Sequence, residues 1–302
     1  GVAPGDRDVA MVFQNYALYP HMTAFQNLAF ALKLRKLPGD KIARRVASVA
    51  EMLGVADILD RKPRVLSGGQ RQKIALGRAI IAEPQVFLLD EPLSNVDVGA
   101  RITTRAEIKA VHEKVNATSI YVTHDHAEAM SLADRIAVMF EGAVLQVAEP
   151  MKVYQEPADR LVASIVSPSP VNSCPGSVQR SDGEFRFLGP GIDFALTGQK
   201  TSCAIAEYDA DELVLGIRPE HMSIQPATES DFMVRGTVAA LERFGDRNMA
   251  HVKDAFGLTW VARTDPDAPV KIGQNITVTC DRRRIMLFAP GPRGRNICTV
   301  DN

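Results

Sequence analysis

The chain has no long apolar run, no Cys-x-x-Cys pair and almost no net charge, and each absence removes a class of protein. Against 35 Lys and Arg stand 36 Asp and Glu, a net charge of −1. No overall field therefore draws the chain to nucleic acid or to an anionic bilayer. The apolar stretches, such as residues 86–89, fall far short of the roughly 20 residues that a membrane-crossing helix needs. If the protein works at a membrane, it does so through partners. The cysteines at 174, 203, 280 and 298 are missing from the first half and show no metal-binding spacing, a pattern that fits free thiols in a reducing compartment. Residues 1–8 are polar and turn-like, unlike a signal peptide. The first residue is Gly and not Met, which points to residues before Gly1.

What is present is a globular composition, 46% hydrophobic and 24% charged over 302 residues, with length for two domains. Residues 9–13 are a short apolar run suited to a buried strand, ending in Gln14 and Asn15. Apolar residues recur at helical spacing over 24–37 and 40–53, broken by Pro38-Gly39. Residues 74–82 predict another helix, stopped by Pro84, and 86–89 a continuous apolar strand. A helix over 102–115, a strand over 119–123, a helix over 126–132 and a strand over 135–139 follow. Such alternation predicts a parallel α/β sheet. Past about Ala163, Ser167-Pro-Ser-Pro170 and Pro175-Gly176 predict a linker. Beyond it, alternating segments such as 276–280, separated by turns at Asp182-Gly183, Phe244-Gly245-Asp246 and Ile272-Gly273, predict a small β-barrel or sandwich.

Three motifs carry chemistry. Leu66-Ser67-Gly68-Gly69-Gln70 precedes a helix. Ser67 and Gln70 have capping-box spacing, while the two glycines leave bare N–H groups and a positive dipole end open to a phosphate; both readings stand at this point. Val86-Phe-Leu-Leu-Asp90-Glu91 places two carboxylates at the tip of an apolar strand, an expensive position for unused charge. Asp90 suits Mg²⁺, held directly or through water, and Glu91 suits the polarisation of a water attacking a γ-phosphate. Tyr121-Val-Thr-His124-Asp125 ends the next strand, so His124 emerges beside Asp90 and Glu91 if the two strands are neighbours. His124 and His126 lack the third ligand a metal pair would want. Gln14 reaches the same edge, the carboxyl ends of the strands, where open α/β sheets bind ligands.

In this order the motifs resemble those of ABC ATPases. Gln14 resembles the Q-loop, Leu66 to Gln70 the family signature, Val86 to Glu91 the Walker B strand, Ser94-Asn-Val-Asp97 the D-loop and His124 the switch histidine. Val12-Phe-Gln-Asn-Tyr-Ala-Leu-Tyr-Pro-His21, Arg105-Ala-Glu-Ile108, Ala133-Asp-Arg-Ile136 and Gly216-Ile-Arg-Pro-Glu-His221 narrow the likeness to the subunits that power carbohydrate importers of the maltose and glycerol-phosphate type.

The resemblance implies an α/β fold in two parts. An incomplete P-loop NTPase domain spans 1–163, with a helical subdomain at about 22–82, and an all-β, OB-like TOBE domain spans 164–302. It implies ATP and Mg²⁺ as ligands, with Asp90 and Gln14 toward the metal. Glu91 and His124 would act on ATP held by this chain, whereas Ser67, Gly69 and Gln70 would serve ATP held by a second ATPase subunit in a head-to-tail dimer; Gln14, Gly68 and Asp97 are the other nucleotide-binding residues it implies. Residues 16–25 would grip a membrane permease that is served in turn by a solute-binding protein, at the cytoplasmic face of the inner membrane. Nucleic acid is no partner.

The main departure is that Gly-x-x-x-x-Gly-Lys-[Ser/Thr] is absent from the sequence. Gly198-Gln-Lys200-Thr201 fails the pattern because Gln199 interrupts the Gly-Lys step, and its surroundings look β-rich. The resemblance puts the true loop before Gly1, together with a central strand whose absence would leave edges unpaired and apolar surface exposed. Alternatives for a chain without the loop are a non-hydrolytic subunit lending its signature to a partner, or a decayed gene product. Val96, Gly99, Ala100, His126 and Ala148-Glu149 are smaller departures.

Overall fold

In the computed structural model, residues 1–3, 6–96, 98–115, 117–181, 184–196, 199–224 and 231–298 are described. Packing divides the chain into two units, Gly1–Ala133 and Asp134–Asn302, whereas sequence composition shifts only near Ala163.

The first unit is built on three parallel strands. β1 (Val9–Val12) pairs with β2 (Val86–Asp90), which pairs with β3 (Thr118–Val122). Because side chains alternate across a strand, the register sorts the residues into two faces. Val12, Phe87 and Leu89 are buried on one; Met11, Ile120 and Val122 lie on the other, 36%, 54% and 50% exposed.

Between β1 and β2 run α1 (Ala24–Leu34), α2 (Gly39–Met52) and α3 (Gly68–Ile80). Thr23 and Gln26 close a capping box at the start of α1. Asn27, fully buried, is satisfied by the loop before it: its amide accepts from Tyr19 N at 2.9 Å and donates to Thr23 O at 2.9 Å. At Gly77 the helices come close, since a Cβ there would lie 2.7 Å from Leu28 Cδ2 and 2.9 Å from Leu53 Cδ1. Leu28, Leu32, Val46, Ala50 and Ile74 fill the core that results. α4 (Val98–Val115), before β3 in the chain, and α5 (His126–Leu132), after it, complete the unit.

In the second unit, β4 (Ile136–Phe140) corrects the sequence expectation. It pairs antiparallel with β5 (Ala143–Ala148) and is not part of the parallel sheet. The signal was Glu141-Gly142, whose φ angles of 47° and 79° are those of a two-residue hairpin turn that matches strand twist. After α6 (Pro150–Gln155) and α7 (Arg160–Ile165) comes β6 (Asn172–Ser181), so Pro175 and Gly176 are strand and not linker. Pro175 is tolerated because that part of β6 pairs with one neighbour, β9 (Glu212–Ile217), and β7 (Glu184–Gly189) joins only from Ser177. Gly176 is needed where a Cβ would meet Leu188 O and the Phe187 ring at 2.4 Å.

β8 (Ile192–Ala195) follows, then α8 (Gln199–Ala206), a helix inside a unit expected to be all β. Lys200 and Thr201 thus belong to a short helix set among the strands of this unit, between β8 and β9; Gly198 lies outside the described residues. The remaining strands are β10 (Met222–Ser223), β11 (Asp231–Arg243), β12 (Asn248–Asp254), β13 (Thr259–Thr264), β14 (Asn275–Asp281) and β15 (Met286–Phe288). Together with β6 to β9 they form a five-stranded sheet, β15-β9-β6-β7-β8, and a closed five-stranded barrel, β10-β13-β12-β11-β14, which is the OB-like architecture. Phe187, Phe194, Phe232 and Trp260 run through the core as a chain of ring contacts 5.6–5.8 Å apart.

Candidate functional site

β2 is apolar until Asp90, and the chain then turns at Glu91 with φ +43°, a left-handed conformation that strains a residue with a Cβ. Three hydrogen bonds hold it there. Glu91 N donates to Val122 O at the end of β3 (3.0 Å), and Ser94 donates to Glu91 O from its N (3.2 Å) and its hydroxyl (2.9 Å).

The half-exposed Glu91 carboxylate is the meeting point of the site. Gln14 Nε2 donates to its Oε2 at 3.2 Å, and His124 Nδ1 lies 3.4 Å from the same oxygen. Gln14, Glu91 and His124 follow β1, β2 and β3 in turn, so the parallel register is what gathers residues far apart in sequence. The loop bearing Gln14 is fixed by Asn95, whose Nδ2 donates to Gln14 O at 2.8 Å, and by Arg78, whose Nη1 donates to Ala17 O at 2.7 Å. Burial holds the Arg78 guanidinium pKa below its ordinary value, though a shift from so high a starting point leaves it charged.

His124 sits in the turn between β3 and α5. Thr123 Oγ1 accepts from Asp125 N at 3.0 Å, and Asp125 caps α5 by accepting from Ala127 N and Glu128 N. Glu128, almost fully buried, accepts from the hydroxyls of Tyr121 (2.9 Å) and Thr123 (2.8 Å). Burial first, then this carboxylate, pushes the Tyr121 hydroxyl pKa well up, which keeps it a donor. Asn95 and Glu128 were not singled out from the sequence. Asn95 lay inside the Ser94 to Asp97 motif, and Glu128 stands three residues after a helix-capping Asp125, the spacing of an acidic first-turn residue.

Ser67 and Gln70 realise the capping-box reading. Ser67 Oγ accepts from Gln70 N at 3.2 Å and Gln70 Oε1 accepts from Ser67 N at 3.0 Å. The N–H groups of Gly68 and Gly69 belong to the first helical turn, which has no intrahelical partner. A Cβ on Gly69 would touch nothing within 4 Å, and one on Gly68 would lie 3.6 Å from Asn95 O. The N-terminus of α3 is therefore bare, and it abuts the loop that holds Gln14. Asp97 lies outside the described residues.

Asp90 is partly buried at the strand tip. Among the described residues no group of three or more His, Cys, Asp or Glu could hold a metal ion. Mg²⁺ at phosphates needs only one or two protein oxygens, the remainder being water and phosphate, and the oxygen donors of Asp90 and Gln14, each at the end of its strand, are of the kind it takes.

The ABC transporter family model matches residues 4–94, and the TOBE domain model matches residues 215–288. The chain is 44% identical over 295 residues to the trehalose/maltose import ATP-binding protein of Thermococcus litoralis, covering 95% of this chain and 77% of that one. It is 44% identical over 285 residues to the sn-glycerol-3-phosphate import ATP-binding protein of Cereibacter sphaeroides (94% and 77%), and 39% identical over 304 residues to that of Bordetella parapertussis (97% and 79%). With these likenesses over nearly its whole length and this grouping of residues at the sheet edge, the chain belongs to the ABC transporter family, as an ATP-hydrolysing import subunit that carries a TOBE domain.

Proposed function

We propose that this subunit energises import of a sugar or sugar phosphate, with Glu91 as the residue that polarises the hydrolytic water. The carrying observation is the convergence of Gln14 and His124 on one Glu91 oxygen, at 3.2 and 3.4 Å. A carboxylate so placed accepts a proton from the attacking water. His124, which is well exposed, can turn from Glu91 toward a γ-phosphate. Gln14 couples its own loop to Glu91 by a hydrogen bond that a bound nucleotide would compete for.

When bound, Mg²⁺ would neutralise charge building on the phosphates; Asp90 and Gln14 are the side chains that would hold it. Ser67, Gly68, Gly69 and Gln70, with Asp97, serve ATP held by a second ATPase subunit, because bare N–H groups at the start of α3 suit phosphate oxygens. The partners are that second subunit, alike or different, and membrane permease subunits gripped by residues 16–25, with a solute-binding protein acting through the permease. This puts the chain on the cytoplasmic face of the inner membrane, held peripherally. Among the described residues no helix is long and apolar enough to cross a membrane. The nucleotide-binding domain is assigned to 1–163 and the regulatory domain to 164–302.

The test is Glu91→Gln in the assembled transporter. It is expected to cut ATP turnover by about 10²- to 10⁴-fold while nucleotide still binds. Undiminished hydrolysis would sink the assignment.

A further inference from the structure

Glu128 is a charged residue that the hydrolytic site does not touch, yet it is only 4% exposed. A carboxylate is a poor choice for filling space, since its burial carries a heavy desolvation penalty unless hydrogen bonds offset it. Its two donors lie on either side of one peptide segment. Tyr121 and Thr123 both donate to Glu128 Oε2, at 2.9 and 2.8 Å. Between them, the carbonyl of Val122 accepts the backbone N–H of Glu91 at 3.0 Å. Immediately after them comes His124, 3.4 Å from Glu91 Oε2. Thr123 also accepts from Asp125 N, so the turn is pinned beyond His124 as well. One buried oxygen thus anchors the stretch that carries His124 directly and steadies the strained backbone of Glu91 through Val122.

We infer that Glu128 is a positioning residue for ATP hydrolysis, holding the 121–124 segment so that the His124 imidazole and the Glu91 carboxylate keep their separation. This rests on the reading of Glu91 and His124 as the hydrolytic pair. The role is geometric and not electrostatic: what matters is an oxygen that accepts two hydroxyls. An amide in place of the carboxylate therefore preserves it, and an apolar side chain of similar size abolishes it.

The experiment is a mutant cycle in the assembled transporter. Glu128→Leu is expected to lower kcat about 10²-fold, the usual effect of misplacing a reacting group by about 1 Å, with the KM for ATP unchanged. Glu128→Gln restores most of that loss. Tyr121→Phe, which keeps the ring and removes one donor, gives an intermediate value and covers the case in which Glu128→Leu does not fold. In a His124→Ala background, Glu128→Leu costs far less kcat than it does with His124 present, the remainder being its effect on Glu91 through Val122. In the nucleotide-free protein, the His124 imidazole resonance shifts in Glu128→Leu while that of His251, in the other unit, does not. Equal loss of kcat with and without His124, or a fall in thermal stability with kcat intact, overturns the proposal. Undiminished turnover in His124→Ala alone removes the reading of His124 itself, a failure distinct from that of the positioning role.

Discussion

Two glycines of α3 separate folding from function. At Gly77 an added methyl would lie 2.7 Å from Leu28 Cδ2, 2.9 Å from Leu53 Cδ1 and 3.3 Å from Val49 Cγ1, all on buried side chains. Overpacking of this kind destabilises by about 1–3 kcal/mol, against which alanine returns about 1 kcal/mol of helix propensity. Gly77→Ala should lose about 1 kcal/mol net, a Tm fall of about 3 °C for a unit of this size. At Gly69 the same methyl meets nothing within 4 Å, and the backbone φ is not positive. Gly69→Ala should leave Tm unchanged or raise it by about 1–2 °C, since a first-turn position gains only part of the propensity term. If Gly69 is bare so that phosphate can approach its N–H, the methyl fills that approach, and ATP turnover in the assembled transporter should fall about 10²-fold. Thermal unfolding and steady-state ATPase assays on the two variants decide the matter. Full activity in Gly69→Ala would refute the ligand reading of the α3 N-terminus and leave Ser67 to Gln70 as a helix cap alone. A drop of several degrees would refute the open-space geometry.

Other expectations concern the second unit. Burial lowers the pKa of His221 from its ordinary 6.5, so the neutral ring is favoured in the folded state. Its contribution to stability is therefore complete above pH 6.5 and declines as pH falls toward the depressed folded value; His221→Gln should flatten that part of a pH-dependent unfolding series, and an unaltered slope would refute it. Arg218, 1% exposed, donates to Ala163 O (2.6 Å) and Tyr154 O (2.8 Å) and lies 4.0 Å from the Tyr154 ring centroid. Arg218→Ala should cost about 3 kcal/mol, since it leaves two carbonyls without a donor, and chemical denaturation of the second unit reads the loss.

How much was legible depends on how local each signal is. The strand tips at Gln14, Asp90 and His124 and the helices between them could be read because hydrophobic period and capping residues are local properties of sequence. The hairpin of β4 and β5 was missed because a strand's sequence does not name its partner. Glu141-Gly142 is the local clue to that hairpin. Pro175-Gly176 looked like a linker because both residues disfavour strands; only the pairing of β6 with a single neighbour at Pro175, and the pressure of Phe187 on Gly176, makes them strand residues.

For the site the same division holds. By itself the sequence determined which chemistry was present: carboxylates after an apolar strand, a histidine after the next, glycines at a helix start. Their order along the chain was enough to suggest the family. Only the tertiary structure decided that Gln14 and His124 share one Glu91 oxygen, that Asn95 ties the loops together, and that Glu128 is buried beneath the turn. These are contacts between residues up to 81 apart in sequence. They follow from parallel register and a left-handed turn, which are fixed by packing of the whole sheet and by no short stretch of sequence.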